Sequence, residues 1–438
     1  MKKRALFIFR RDLRLEDNTA LNEALKIADE VITAFIFTPE QIEHNPYKGI
    51  PVLQFMIESL EELGEELRKK GGKLYLFSGH PEDVISDCIE KYQITAVFVN
   101  ADYTPYSIKR DKKIQTLCHM KQTSFHSFHD LLLHPPDQLL KSDSKPYTVF
   151  TPFYKNGKTL DVQKPKYSSL QKFANFPISF EKNETIYKKI LPERLPNQIG
   201  GRKAALHILN HLKEDSNHLS PHLKFTTCSS REAYHKIAQK FGPESSLIRS
   251  LYWRDFFTLI AYHFPHVFGS SFQEKYQHIR WEHNEKKFHL WTEGKTGFPI
   301  VDAGMRELNA TGNMSGRLRM ITASFLIKDL HIDWMWGEKY FAKHLIDYDP
   351  AVNNGNWQWV ASTGCDAQPY FRIFNPWLQQ AKFDPECLYI KKWIPELSSF
   401  SPKTIHRWYL QEETFFSYPL PMLDHQVEAK KAASYMGM

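Results

Sequence analysis

The chain has 438 residues, 42% hydrophobic and 24% charged, an ordinary composition for a soluble globular protein long enough for two or three domains. Its 57 Lys and Arg against 50 Asp and Glu give a net charge of +7 and an isoelectric point near 8.8, which suits a polyanionic partner without requiring one. The five cysteines are odd in number, scattered and without a Cys-x-x-Cys pair. They argue against a disulfide framework or a four-thiolate iron–sulfur cluster and for reduced cytoplasmic thiols.

The opening residues look like a secretory leader only superficially, because Arg10, Arg11 and Asp12 interrupt the apolar run too early. No later run is long enough to span a membrane. Residues 5–9 read as a strand and 18–27 as a helix, with Leu21, Leu25 and Ile27 at helical spacing. Strand 31–37, helix 52–70 ending at Gly71-Gly72, strand 73–77, helix 81–91, strand 96–100, helix 106–120 and strand 123–128 follow. This alternation predicts an α/β domain over residues 1–130, a doubly wound five-stranded parallel sheet. No Gly-x-Gly-x-x-Gly follows the first strand, so no Rossmann dinucleotide site is expected there. An accessory small molecule would sit beyond the carboxyl ends of the strands.

Residues 131–199, with many prolines and little periodicity, read as a long inter-domain connector. From Gly200-Gly201 the pattern turns helical, with periodic segments at 202–213, 231–241, 246–263, 302–310 and 316–334, predicting an all-α domain over 200–438. All ten tryptophans lie between Trp253 and Trp408. Indoles fill cores, stack on flat ligands and can give up an electron to a strong oxidant nearby. A buried redox cofactor would use all three properties.

The densest chemistry is Asp347-Tyr348-Asp349-Pro350-Ala351-Val352-Asn353-Asn354-Gly355-Asn356-Trp357-Gln358-Trp359. Carboxylates that accept, amides that donate and accept, and indoles that wall a site can together hold a flat heterocycle. Helix capping by the Asx residues accounts for the acids and amides, but not for two tryptophans on the same short element. Upstream, Arg317, Arg319 and Lys328 punctuate an apolar helix. Arg317 is expected to reach solvent, whereas Arg319 can pair with one of the Asp residues after Tyr348.

Five ordered motifs carry a resemblance. They are Trp253-Arg254-Asp255-Phe256, Glu293-Gly294-Lys295-Thr296-Gly297-Phe298-Pro299-Ile300-Val301-Asp302-Ala303, Arg317-Leu318-Arg319-Met320-Ile321, Asn353-Asn354-Gly355-Asn356-Trp357-Gln358-Trp359 and Tyr370-Phe371-Arg372-Ile373-Phe374-Asn375-Pro376. With Arg10-Arg11-Asp12-Leu13-Arg14 after the first strand, the chain resembles the photolyase and cryptochrome family nearly end to end. It is most similar in flavour to the class I cyclobutane pyrimidine dimer photolyases.

The resemblance implies an FAD in the helical domain contacted by Arg254, Arg319, Asp347, Asp349 and Asn353, with Ser216, Leu219 and Ser220 on the phosphate side. Asn353 would face the flavin N5, and Trp357, Trp334 and Trp281 would be an electron-transfer triad from flavin to surface. Trp253 and Trp359 would stack on an extruded pyrimidine dimer, with Met320 beneath it and Ser250 beside it. Excited reduced flavin would donate an electron to the dimer, which splits and returns it. The implied partner is double-stranded DNA containing a pyrimidine dimer, with Arg254, Lys155 and Arg372 contributing to a basic face. No metal and no membrane are implied, and a cytoplasmic monomer is expected.

The chain also departs from that pattern. Ser250 stands where class I relatives have a Glu that hydrogen-bonds the lesion, Asn313 where an aromatic is usual, and Gly316 where an Asn is expected. The stretch between Leu209 and Ser220 is shorter than the family's usual loop. These changes would weaken lesion binding, FAD retention or both. His44-Asn45 resembles part of a folate-binding segment, yet Tyr106 and Ser107 replace the Asn and Glu of folate-binding relatives. A folate, a deazaflavin, a flavin or an empty antenna site all stay open. Two alternatives to dimer repair remain: a cryptochrome-like blue-light receptor without repair, and repair of the (6-4) photoproduct.

Overall fold

The computed structural model describes residues 2–435 other than 44, 177–182, 194, 196–199, 214–217, 371 and 413–416. It divides into two compact units, Met1–Pro265 and His266–Met438.

In the first unit, β1 (Arg4–Phe9), β2 (Glu30–Phe37), β3 (Leu74–Ser78), β4 (Ala96–Asn100) and β5 (Ser124–Phe128) pair in parallel. Their order is β3-β2-β1-β4-β5, with Phe7 of β1 opposite Thr33 of β2 and Phe98 of β4. The inner strands are buried almost throughout, whereas edge strand β5 is half-exposed. That is the apolar run expected of a parallel sheet covered on both faces. Between the strands lie α1 (Thr19–Ile27), α2 (Pro39–Ile42), α3 (Ile50–Lys69), α4 (Pro81–Tyr92) and α5 (Pro105–Met120). Their starts are chemically marked: Asn18 accepts from the Leu21 amide, Thr104 from the Ser107 amide, and proline opens α3, α4 and α5. The predicted sheet is found with slightly shifted ends, and the single turn α2 is additional.

The segment expected to be connector carries two helices, α6 (Phe150–Gly157) and α7 (Asn183–Ile190). Pro152 hid the first of them from a reading by composition. It sits in the opening turn, where a missing N–H costs nothing because that group has no helical partner.

Helices α8 (Arg202–Asn210), α9 (Ser220–Lys224), α10 (Ser230–Phe241) and α11 (Ser246–His263) complete this unit. The compact division therefore falls at Pro265, whereas the sequence reading placed its cuts after residues 130 and 199. A buried charge network runs between the sheet and α10. Arg14, with no exposed side-chain surface, pairs with Asp130 at 2.6 Å and donates to the Thr226 carbonyl at 3.1 Å. Arg231 of α10 pairs with Asp17 at 2.9 Å and with Asp130 at 2.8 Å. Burial alone would raise the Asp130 carboxyl, but Arg14 and Arg231 hold it well below the usual carboxylate range. Trp253 lies on α11, so the tryptophans are shared between the two units.

The second unit is helical: α12 (Glu285–Thr292), α13 (Pro299–Thr311), α14 (Gly316–Ser324), α15 (Trp334–His344), α16 (Pro350–Ala361), α17 (Pro376–Phe383), α18 (Leu388–Trp393), α19 (Pro402–His406) and α20 (His425–Tyr435). Its core gathers Trp291, Phe325, Leu326, Trp334, Phe341, Trp357 and Trp408. The helix predicted over 316–334 is broken. After α14 the ladder widens into a π turn, Phe325–Asp329, His331 adopts a φ of 58°, and Asp333 caps a new helix beginning at Trp334. Among the described residues no helix is long and apolar enough to cross a membrane.

Candidate functional site

In the second unit the chemistry is ordered along α16. Asp349 caps the helix, its carboxylate accepting from the amides of Ala351 at 3.0 Å and Val352 at 3.2 Å. One turn later Asn353 donates through Nδ2 to the Glu338 carbonyl at 3.1 Å, which fixes the plane of its buried amide. Asn354 donates to the Val267 carbonyl and to Glu338 Oε1. Gln358 Nε2 donates to the carbonyls of Val267 and Ser270, and its Oε1 accepts from the Phe272 amide. Asn354 and Gln358 thus tie down the 267–272 segment. Burial pushes the Glu338 carboxyl up to about 7, against the Asn354 hydrogen bond that lowers it.

The two indoles of α16 part company. Positions two apart lie roughly 200° around a helix, and Trp357 is buried in the core whereas Trp359 is only partly buried against it. Trp357 meets Phe341 edge-on at 4.9 Å and Trp291 at 6.4 Å. Its ring also presses on the bare backbone of Gly337, three residues after the buried Trp334 on α15. Trp281 is partly buried against the same core. Its chain neighbour Glu282 donates its amide to the His331 carbonyl at 2.8 Å and bridges Ile332, two residues before Trp334. The structure thus gathers Trp357, Trp334 and Trp281 in one core.

Arg319 pairs with Asp347 through two contacts, at 2.9 and 3.1 Å, and its Nε donates to the Met314 carbonyl. The partner is the Asp before Tyr348 and not one after it, because Asp349 turns to its own helix end. Arg317 is exposed, its guanidinium 4.7 Å from the Phe383 ring centre. Met320 is partly buried at the edge of the core. Nothing lies within 4 Å of a Cβ built on Gly316, so packing does not demand the glycine there. Asn313 Nδ2 turns back to the Thr311 carbonyl.

In the first unit Trp253 is stacked on Phe150, ring centres 3.6 Å apart and planes within 5°. Arg254 Nη2 donates to the Leu131 carbonyl, to Ser230 Oγ and to Asp255, whereas its buried Nη1 has no hydrogen-bond partner among the described residues. Leu219 is buried and Ser220 opens α9; Ser216 lies outside the described residues. Ser250 is exposed and folds its hydroxyl onto the Ser246 carbonyl at 3.0 Å. Tyr106 reaches Thr38 and Glu40, Ser107 reaches Asp102, and His44 lies outside the described residues.

Each unit by itself offers groups of the kind that suit part of a flavin dinucleotide. In the first unit a buried guanidinium N–H with no acceptor among the described residues suits an anionic phosphate; in the second an oriented amide and an Arg–Asp pair suit a ring with both donor and acceptor edges. The sequence reading missed Gly337, Glu338 and Phe150. Phe150, Phe153 and Tyr154 do show helical spacing, a signal lost among the prolines around them.

Comparison with known proteins agrees. Residues 247–438 match a family described as the FAD binding domain of DNA photolyase, and residues 5–169 match the DNA photolyase family. A deoxyribodipyrimidine photo-lyase of Alkalihalophilus pseudofirmus is 35% identical over 98% of this chain and 96% of its own. The crystal structure of an archaeal photolyase from Sulfolobus tokodaii with two FAD molecules is 45% identical, superposes with a TM-score of 0.91 and covers 99% of each chain. A cryptochrome from Synechocystis is 26% identical at a TM-score of 0.89, again over 99% of each chain. With a parallel-sheet unit, an FAD-binding helical unit and relatives matched over nearly their whole length, the chain belongs to the deoxyribodipyrimidine photo-lyase family of DNA-repair flavoproteins.

Proposed function

We propose that the protein repairs cyclobutane pyrimidine dimers in double-stranded DNA under blue or near-ultraviolet light, and that Trp281, Trp334 and Trp357 supply electrons from the surface to its FAD. The observation that carries this reading is the gathering of those three indoles in one core, with Trp357 pressed against the helix that Trp334 opens. When bound, reduced FAD supplies the electron that opens a dimer.

The residues around it hold and orient. Arg254 Nη1, with Leu219, Ser216 and Ser220, serves the phosphates; Arg319 with Asp347, Asp349 and Asn353 serves the ring and ribose. Because Asn353 Nδ2 is committed to the Glu338 carbonyl, its Oδ1 is the end offered to a ligand N–H. Trp253 and Trp359 each offer an indole to an extruded dimer, a stack worth about 1–3 kcal/mol per base. The hydroxyl of Ser250 is turned onto its own helix, so the lesion lacks the acidic partner of class I relatives. We assign the antenna a flavin, supported by the two FAD molecules of the Sulfolobus tokodaii photolyase. The protein is taken to act as a cytoplasmic monomer.

The test is an absorption spectrum of the purified protein, followed by assay of a dimer-containing duplex under blue light with a reductant. Bound flavin and restored thymines support the reading. Bound flavin that photoreduces without restoring thymines favours the photoreceptor reading, and repair confined to the (6-4) photoproduct reassigns the lesion.

A further inference from the structure

We propose that Arg249 binds the DNA phosphate flanking the extruded dimer and takes over the anchoring that Ser250 cannot provide. This deepens the dimer-repair reading and rests on it. Arg249 and Trp253 are one turn apart on α11, and so share a helix face. The guanidinium carbon of Arg249 lies 5.1 Å from the ring centre of Phe150 and 5.2 Å from that of Tyr154. Tyr154, Phe150 and Trp253 form a column of nearly parallel rings, with planes within 10° and 5°. One rigid stack therefore orients both the indole and the cation.

A guanidinium held over aromatic faces keeps its charge, and its edge N–H groups stay available to an acceptor. Lys158 also lies over Tyr154, at 5.2 Å, but it is engaged by Glu244. Arg249 is exposed and has no acidic partner among the described residues. The chemistry fixes the class of partner. A carboxylate beside the stacking indole would accept from a base N–H, whereas a guanidinium can only donate, and the anionic acceptor that DNA offers is a phosphodiester oxygen. Its place beside Trp253 selects a phosphate next to the flipped dinucleotide.

The experiment measures binding of the full-length protein to a duplex with one cyclobutane thymine dimer, replacing each flanking phosphate in turn by a neutral methylphosphonate. One replacement should weaken wild-type binding about tenfold, Arg249→Met should weaken binding to the all-phosphate duplex by a similar factor, and the combination should lose no more than either alone. The log–log salt slope of Arg249→Met should fall by about 0.9, and Arg249→Lys should restore most of that slope. Visible absorption of bound flavin confirms that each variant is folded. The proposal is overturned if the two losses multiply at every phosphate, if the salt slope is unchanged, or if Arg249→Met weakens intact and damaged duplexes alike while wild type discriminates. If wild type itself binds both duplexes equally, the dimer-repair reading has failed and this proposal falls with it.

Discussion

The ring of Trp357 occupies the space that a side chain at Gly337 would need: a Cβ there would lie 2.1 Å from Trp357 Cη2 and 2.5 Å from Cζ3. Glycine inside a helix costs roughly 1 kcal/mol relative to alanine, so its place in α15 marks a close approach that the packing requires. That approach sets two buried indoles, Trp334 and Trp357, against one stretch of helix.

Gly337→Ala should therefore displace the Trp357 ring or the Leu326 side chain, which would lie 2.6 Å from the new methyl. Overpacking of this kind costs about 1–3 kcal/mol. Calorimetry should show a lower melting temperature, and the flavin should photoreduce more slowly. An unchanged melting temperature would mean that the core has slack around the ring.

Trp334→Phe keeps most of the packing volume and removes an oxidisable link. Photoreduction of the bound flavin should slow at least about tenfold, equivalent to about 1.4 kcal/mol of barrier, while chemically reduced protein goes on repairing dimers. Transient absorption in the visible reads the first quantity and thymine restoration the second. Equal photoreduction rates would exclude this route.

Glu338 gives a pH dependence with a defined sign. Burial raises its carboxyl from 4.5 to about 7 in the folded protein, so the folded state holds its proton where the unfolded chain has lost it. Stability is full below pH about 4.5 and declines as pH rises toward about 7, by on the order of 3 kcal/mol. Glu338→Gln keeps an acceptor for Asn354 and cannot ionise. Its melting temperature should exceed that of wild type near pH 8, and the difference should vanish near pH 4. A constant difference across that range would assign the effect to packing instead.

Arg14→Met removes one partner of a fully buried pair and leaves Asp130 with the Arg231 ion pair and the hydrogen bonds from Thr19. Breaking such a pair costs about 3–5 kcal/mol. Urea denaturation followed through the first unit should show the loss, and Asp130→Asn added to Arg14→Met should recover part of it. If Arg14→Met melts like wild type, the network is not what binds α10 to the sheet.

The sheet was legible because each inner strand is a short apolar run between polar turns, as at 31–37 and 96–100. The candidate site was legible as a stretch of sequence because Asp347, Asn353, Trp357 and Trp359 fall close together. What remained hidden depends on contacts between distant residues. The choice of Asp347 as the partner of Arg319 is made by the helix end that claims Asp349, not by spacing. The union of α8–α11 with the sheet follows from Arg231 reaching Asp17 and Asp130, pairs that no periodicity reports. Phe150 disappeared into a proline-rich stretch because a short helix offers too few turns to establish a period.

The charge network around Asp130 also decides how this protein can be taken apart. A fragment ending at residue 130 or 199 would retain Arg14, Asp17 and Asp130 while losing the Arg231 that closes the ring between them. Chimeras that exchange the sheet-bearing unit between relatives should therefore be joined after Pro265, with the Arg14, Asp17, Asp130 and Arg231 quartet inherited as a set from a single parent.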